Sequence, residues 1–370
     1  MTVSVAIATF NRARMVQQAV KAALEQSLEP LEVVVSDDAS TDQTIERLEH
    51  WLASGMPAAR AAVRILPHEV NSKGVVNWNQ AMEATSGDYI AWCSDDDRFL
   101  PGHLEASVAF LAANPQVGLV HSGFVDILQN DRENDGQNNA QNDAQNDAQN
   151  QESWIREPRR LRSSEPIVVR RHNLLSYLIR YYDWPFHPST IVMRREVWGS
   201  VGRFDPSYAL ADTDWFVRAA MQYPVALLPR HGVLNRRHPG NWSNQVGSAR
   251  MQCEIYQIVD RAIAQIWRDH AVRRLFWRML WRANVRARLA LTIHARLRSG
   301  HGPAALAGWQ ALVRHTGGDY DEAGRTAGRV AAWIEKAGEV LIGRAVQYRE
   351  RFWPQRGDSA ANLRESVSPR

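Results

Sequence analysis

The sequence predicts an α/β fold, a mostly parallel sheet with helices on both faces, followed by a helical C-terminal region. Three observations carry this. Short apolar runs alternate with helix-period segments through the first 125 residues, the pattern of β–α–β units. Hydrophobic residues make up 45% of the 370 and charged residues 23%, enough apolar matter for a large core. After Arg250 the strand signals stop and a helical period takes over, broken near Ser299-Gly300 and Thr316-Gly317-Gly318.

The elements follow in order. Val3 to Ala8 is a short buried-strand run ending at Thr9-Phe10-Asn11-Arg12, and Arg14 to Gln26 carries a helical stripe of Met15, Ala19, Ala22 and Ala23. Glu29-Pro30 punctuates it. Leu31 to Val35 is the second strand, running into Ser36-Asp37-Asp38-Ala39-Ser40. Ser40 or Thr41 can cap the next helix, to about Ala53. Val63 to Leu66 is a third strand, Gly74 precedes a helix to about Ala84, and Tyr89 to Cys93 is a fourth strand ending at Ser94-Asp95-Asp96-Asp97. In parallel sheets ligands bind beyond the carboxyl ends of the strands. Three strands here end in polar clusters, so all three are expected on one edge.

Gln129 to Gln151 is low in complexity, with Ala140-Gln141-Asn142-Asp143 repeated at once, and reads as a disordered surface insertion. Structure resumes near Ile167. Helices are expected over Leu174 to Tyr182, Arg195 to Val201 and Asp212 to Met221, with strands at Thr190 to Met193 and Val225 to Leu228.

Composition narrows the function classes. Two cysteines, Cys93 and Cys253, exclude a disulfide framework and a Cys-rich zinc module. No apolar run approaches the roughly 18 to 20 residues that cross a bilayer, and Val3 to Ala8 is too short for a secretory signal, so a cytoplasmic protein is expected. Net charge is +4, with 41 arginines against three lysines. From Arg250 to Arg298, 11 arginines face Glu254, Asp260 and Asp269, giving +8 locally. Phosphate, anionic lipid or nucleic acid would be attracted there, and a GC-rich genome using Arg as its surface cation would give the same count. No nucleic-acid module is recognisable, so no nucleic-acid partner is expected.

Asp95, Asp96 and Asp97 are three adjacent carboxylates after an apolar strand, costly unless a cation neutralises them. Mg²⁺ or Mn²⁺ takes one or two carboxylates plus substrate phosphates. The cluster therefore reads either as a metal–diphosphate site or as a solvated acidic turn before the helix after Pro101. Asp37 and Asp38 can accept hydrogen bonds from a nucleobase or ribose, or cap a turn.

Four strings occur in register: Val-Ala-Ile-Ala-Thr-Phe-Asn-Arg at 5–12, Val-Ser-Asp-Asp-Ala-Ser-Thr-Asp at 35–42, Gly-Asp-Tyr-Ile-Ala-Trp at 87–92 and Ser-Asp-Asp-Asp-Arg-Phe-Leu-Pro at 94–101. Together they resemble a family 2 glycosyltransferase of the GT-A fold over roughly residues 2 to 245. The resemblance implies an inverting enzyme that uses a nucleotide-diphosphate sugar, a UDP- or dTDP-sugar, with Mn²⁺ or Mg²⁺. It implies that Ala8 and Phe10 line the nucleotide pocket, Asp38 binds the base, Lys73 reaches base or phosphates, Asp95 contacts the ribose and Asp96 ligates the metal. Two departures stand out. Ser94 occupies the first place of the usual Asp-x-Asp, and Trp78 stands where relatives often carry a basic residue.

In the second half, Gly202-Arg203-Phe204-Asp205 and Ala211-Asp212-Thr213-Asp214-Trp215 resemble the family's acceptor-side motif, which makes Asp212 the general base; the alternative is that Asp212 and Asp214 cap a helix. Arg236 to Ser243 resembles the segment that closes over donor phosphates. There His238 is a candidate second metal ligand, and Arg236 or Arg237 a candidate phosphate partner. His187 is a candidate for the acceptor pocket, and Trp184 or Trp215 for stacking on a sugar. The resemblance implies a GT-A catalytic domain over 1–248, with 1–125 the nucleotide-binding half, 129–151 the insertion and 165–248 the acceptor-side half. A helical region over 249–355 and a flexible tail over 356–370 complete the chain.

Arg274, Arg278, Arg282 and Arg286 form one basic stripe of a helix whose apolar face is Leu275, Phe276, Met279, Leu280 and Ala283, with Trp277 and Trp281 alongside. This suits peripheral contact at the inner face of the plasma membrane, packing on the catalytic domain, or a homodimer contact. The overall expectation is a transferase of bacterial surface polysaccharide synthesis acting on a glycan or lipid-linked acceptor. Two rivals are a degenerate GT-A domain that only binds a glycan or partner, favoured by Ser94 and Ala211, and a sugar nucleotidyltransferase. The absence of glycines from Thr9-Phe10-Asn11-Arg12 argues against the second.

Overall fold

The computed structural model describes residues 1–56, 60–128, 163–180, 187–238, 240–241 and 248–281. The insertion at 129–151, Trp184 and the region beyond Trp281 lie outside the described residues. Two compact units are formed, one of Met1–Gly247 with Glu254–Trp281, the other of Ser248–Cys253 with Arg282–Arg370.

The first half alternates as expected: β1 Val3–Thr9, α1 Ala13–Leu24, β2 Glu32–Asp37, α2 Thr44–Gly55, β3 Val63–Pro67, α3 Gly74–Glu83 and β4 Tyr89–Ser94. The second half comprises β5 Arg98–Phe99, α4 His103–Ala113, β6 Leu119–Leu128, β7 Ile167–Val169, α5 Leu174–Arg180, β8 Val192–Arg194, α6 Arg195–Val201, α7 Ala211–Gln222, β9 Val225–Arg237 and α8 Ser248–Ile266. A further helix, α9, spans 271–281.

The strands form one sheet in the order β3-β2-β1-β4-β8-β6-β9-β5, with β7 paired to β9. β3, β2, β1 and β4 are mutually parallel. The parallel arrangement ends there: β8 runs antiparallel to β4 and to β6, and β5 and β7 antiparallel to β9, while β6 and β9 are parallel. The sheet is therefore mixed.

Alternation within the strands explains the two layers of helices. Ala91 and Cys93 of β4 join Val5, Ile7, Val33 and Val35 in a core covered by Val16, Ala19 and Val20 of α1, Leu48 and Leu52 of α2, and Leu104, Val108 and Leu111 of α4. Trp92 faces the other way. It meets Trp78 of α3 at 5.0 Å and Phe204 at 4.6 Å, and Trp198 and Trp215 close on Phe204 at 5.2 and 5.7 Å. This aromatic cluster joins the parallel half to the second half.

Three expectations are corrected. Neither Ser40 nor Thr41 caps α2. Asp42 does that work, accepting the Thr44 N–H at 3.1 Å, because Gln43 at the helix entrance takes φ 62° and turns the chain past them. The strand expected to end at Leu228 runs on to Arg237, since Pro229 marks an irregularity, not a stop: the β6–β9 register shifts there and pairing resumes at His231. Gly232 in that stretch is required. A Cβ there would collide with His103 Nδ1 and Ser122 Oγ. Thr190 belongs to a 3-10 turn, Pro188–Thr190, so β8 starts at Val192.

Candidate functional site

The pairings Thr9 with Asp37 and Ala8 with Ser94 place the ends of β1, β2 and β4 side by side. The three polar clusters do share one edge. Their loops are tied to one another. The Asn11 N–H donates to Ser40 Oγ at 2.8 Å, Asn11 Oδ1 accepts the Thr41 N–H at 2.7 Å, and Asp42 Oδ2 accepts the Ala13 N–H at 3.2 Å. Among the described residues four non-glycine positions have positive φ, Asn11, Ala39, Gln43 and Lys73, and all four stand on this edge. Such backbone is costly and is kept where surrounding bonds over-determine it, as they do at ligand sites.

The acidic turn is buried. Asp95 accepts from Thr9 Oγ1 at 2.8 Å and from Arg12 Nη1 at 2.7 Å. Asp96 Oδ2 accepts from Arg12 Nη1 at 2.9 Å and Asn241 Nδ2 at 3.1 Å, and lies 3.1 Å from His238 Nε2. Asp97 accepts from Ser189 Oγ at 2.5 Å and from the Arg236 N–H at 3.1 Å. The reading as a solvated acidic turn does not hold, since each carboxylate is less than a tenth exposed and answered by named donors.

Their electrostatics diverge. Burial pushes the Asp95 carboxyl up to about 6 against the opposing charge of Arg12. Burial also works on Asp96, but the His238 hydrogen bond and then the Arg12 charge outweigh it and hold Asp96 below the usual carboxylate range. Burial, reinforced by the charge of Asp96, drives Asp97 well above that range. One carboxylate of the three is thus stabilised in its charged form by donors reaching in from the loop after β1 and from the residues after β9.

Asp212 is the second residue of α7, and its Oδ1 accepts the Thr213 N–H at 2.7 Å. Burial raises its carboxyl above the ordinary value, with the Thr213 bond opposing. His187 stands beside the acidic turn. Its Nδ1 lies 3.3 Å from Asp97 Oδ2, without the alignment of a hydrogen bond, and its ring feels the charges of both Asp96 and Asp212. Burial pushes His187 down to about 4, so it is neutral at pH 7.

The remaining residues fall as follows. Phe10 is 43% exposed at the end of β1, and Ala8 is half-buried beside it. Asp38 is buried and accepts from the Ser72 N–H and Oγ, each at 2.7 Å, so it anchors the lead-in to α3. Lys73 is exposed at the head of α3. Asp37 is spent on its own turn, accepting from the Ser40 N–H at 2.9 Å. Asp214 is no helix cap; it pairs with Arg218 at 2.8 Å and with Arg261. Two expectations fail. Trp215 cannot stack on a sugar, because it is fully buried with its Nε1 donating to Gly202 O at 2.8 Å. Arg236 is not aimed at a phosphate, since its Nε donates to Asp96 O at 3.0 Å and its Nη2 to Gln18. Arg237 donates to Asp126 at 2.9 Å.

The sequence reading gives Arg12 and Asn241 no role. Arg12 also donates to Gly240 O at 3.0 Å, so it binds the β1 loop, the acidic turn and the segment after β9 together. The signal available was a basic residue directly after β1, on an edge crowded with acids. Asn241 has no comparable signal, because only the chain path brings it to Asp96.

Among the described residues no group of three His, Cys, Asp or Glu side chains is set to hold a metal ion. Asp96 and His238 form a pair, which fits a hard cation whose other ligands are phosphate oxygens and water.

Residues 4–175 match the family described as Glycosyl transferase family 2. The chain is 25% identical to an uncharacterized glycosyltransferase, YwdF, of Bacillus subtilis (strain 168), over 68% of this chain and 81% of that protein. It is 28% identical to the GalNAc(5)-diNAcBac-PP-undecaprenol beta-1,3-glucosyltransferase of Campylobacter jejuni, over 27% of this chain and 31% of that one. The chain spans less than half the length of several curated relatives it matches. Among solved structures, S. aureus TarS 1-349 in complex with UDP-GlcNAc superposes with a TM-score of 0.59 at 15% identity, covering 85% of this chain and 81% of that 1-349 chain.

Proposed function

This chain belongs to glycosyl transferase family 2, and from that premise we propose that it moves a sugar from a UDP- or dTDP-sugar to a hydroxyl of a glycan or lipid-linked acceptor, with inversion, in bacterial surface polysaccharide synthesis. The observation that carries the reading is the meeting of Asp96, at the end of β4, with His238, just past β9, on the edge where the β1 and β2 loops converge. The TarS structure carries UDP-GlcNAc and the Campylobacter enzyme is named for an undecaprenol-linked substrate, which supports these donor and acceptor classes.

In this reading the exposed ring of Phe10 lies against the base, Asp38 accepts a base N–H, and Lys73 meets the base or phosphates from the head of α3. Ala8 leaves room beside Phe10, and Asp95 serves the ribose. A Mn²⁺ or Mg²⁺ ion held by Asp96 and His238 would neutralise charge developing on the diphosphate. Asp212 takes the proton from the acceptor hydroxyl. That oxygen bonds to the anomeric carbon while the bond from the carbon to the diphosphate oxygen breaks, and the nucleoside diphosphate leaves from the opposite face. A carboxyl raised by burial is a better base near neutral pH than an exposed one. His187, neutral beside Asp97, adds no positive charge near Asp96 and Asp212. Peripheral contact with the inner face of the plasma membrane belongs to the same reading.

Hydrolysis of UDP-GlcNAc by the wild type and Asp212→Asn tests it. Turnover should fall about 10²- to 10⁴-fold while UDP affinity is unchanged, since asparagine can still accept the Thr213 N–H. Equal turnover would remove Asp212 from the mechanism.

A further inference from the structure

Nine large hydrophobic side chains are exposed among the described residues, and five of them lie between residues 272 and 280 of α9. Val272 is 84% exposed, Leu275 60%, Phe276 54%, Met279 56% and Leu280 39%. At 3.6 residues per turn they share an arc of about 140°. Scattered exposed apolar residues need no explanation, but a continuous stripe does. The opposite face is engaged. Trp281 is buried, Arg278 pairs with Asp260 at 2.9 Å, and Arg274 donates to Arg268 O at 3.3 Å. The helix is thus fixed from behind with its apolar stripe outward.

Charge identifies the occupant. Residues 271–281 contain three arginines and no acid. By helical position Arg273 borders the stripe beside Leu280, and Arg278 borders it beside Leu275. The Arg273 guanidinium lies over the Trp267 ring at 5.0 Å. A two-fold pairing of this face with a second copy would set arginine against arginine. We propose that α9 is a membrane-docking face, with Val272, Leu275, Phe276, Met279 and Leu280 entering the acyl boundary and Arg273 on its border meeting anionic lipid headgroups. The inference deepens the lipid-linked acceptor reading and needs none of its catalytic residues.

The test is sedimentation of the full chain with vesicles of phosphatidylglycerol mixed with phosphatidylcholine, and with phosphatidylcholine alone. The wild type should bind the anionic vesicles, less so as salt rises. A Leu275→Ser, Phe276→Ser double variant should lose about tenfold or more in partitioning, with UDP-GlcNAc hydrolysis unchanged. Amide exchange of the wild type needs no variant, and vesicles should protect residues 271–281. A wild type that stays in solution overturns the proposal, as it would if residues 282–370 or a second copy covered the stripe. Protection confined to other segments overturns it as well. Hydrolysis failing in the wild type would count against the catalytic reading alone.

Discussion

The parallel half of the sheet and the mixed half supply the site in different ways. In β3-β2-β1-β4 each candidate side chain stands in a short string at a strand end, and parallel register alone sets the strings side by side. In the mixed half His187 and Asp212 come from separate elements and His238 and Asn241 from the segment after β9; His187, His238 and Asn241 reach the acidic turn because β8 reverses against β4 and β9 runs the length of β6. The first half holds groups suited to binding a nucleotide. In the proposed reading the second supplies the base and the partner that completes the cation pair. On that reading recognition is written locally, and proton transfer is assembled by topology.

That division is most exposed where the halves join. Trp215→Ala would empty the aromatic cluster and strand the Gly202 carbonyl, so unfolding free energy should fall by about 3–5 kcal/mol. Urea unfolding should stay a single transition, because Trp78 and Trp92 of the first half pack into the same cluster. Two separated transitions would mean the halves are independent and the comparison is wrong.

A smaller effect is expected at Gly232→Ala. The added methyl must displace His103 or Ser122, an overpacking cost of about 1–3 kcal/mol in thermal melts. UDP affinity should survive, since the β1, β2 and β4 tips are untouched. A loss of UDP binding with no loss of stability would contradict the assignment of recognition to the parallel half.

A further effect is pH-dependent. His103 is fully buried against Phe99 with neither ring nitrogen hydrogen-bonded; burial, and then the charge of Arg230, push it down to about 3. Its folded value is below its unfolded one, so the unfolded chain binds the extra proton between about pH 6.5 and 3. Stability attributable to neutral His103 is present above pH 6.5 and is lost as pH falls through that window, by about 1.4 kcal/mol per pH unit. His103→Leu should flatten the slope of unfolding free energy by that amount between pH 4 and 6. An unchanged slope would show that His103 is not held neutral.

The same contrast explains what could be read from the sequence. Strands β1 to β4, their helices and the shared acidic edge follow from apolar runs interrupted by Asn, Asp and Ser. β5 is two residues long, too short for any period, and β6 is broken by His121, Ser122 and Gly123. Pro229 and Gly232 made the middle of β9 read as a loop. Asp96, Asp212 and His238 were legible as single residues because their motifs are local. The bonds from Arg12, His238 and Asn241 to one oxygen of Asp96 were not, because no pattern in the chain links positions more than 80 residues apart.

The central claim is that the two halves meet on one cation beside a diphosphate. Calorimetry of UDP with and without Mn²⁺ tests it most directly, on the wild type, Asp96→Ala, His238→Ala and the double variant. Mn²⁺ should strengthen UDP binding in the wild type, either single change should abolish that gain, and the double variant should lose no more than the worse single. UDP binding that ignores Mn²⁺ in the wild type, or a gain that survives His238→Ala, would contradict it.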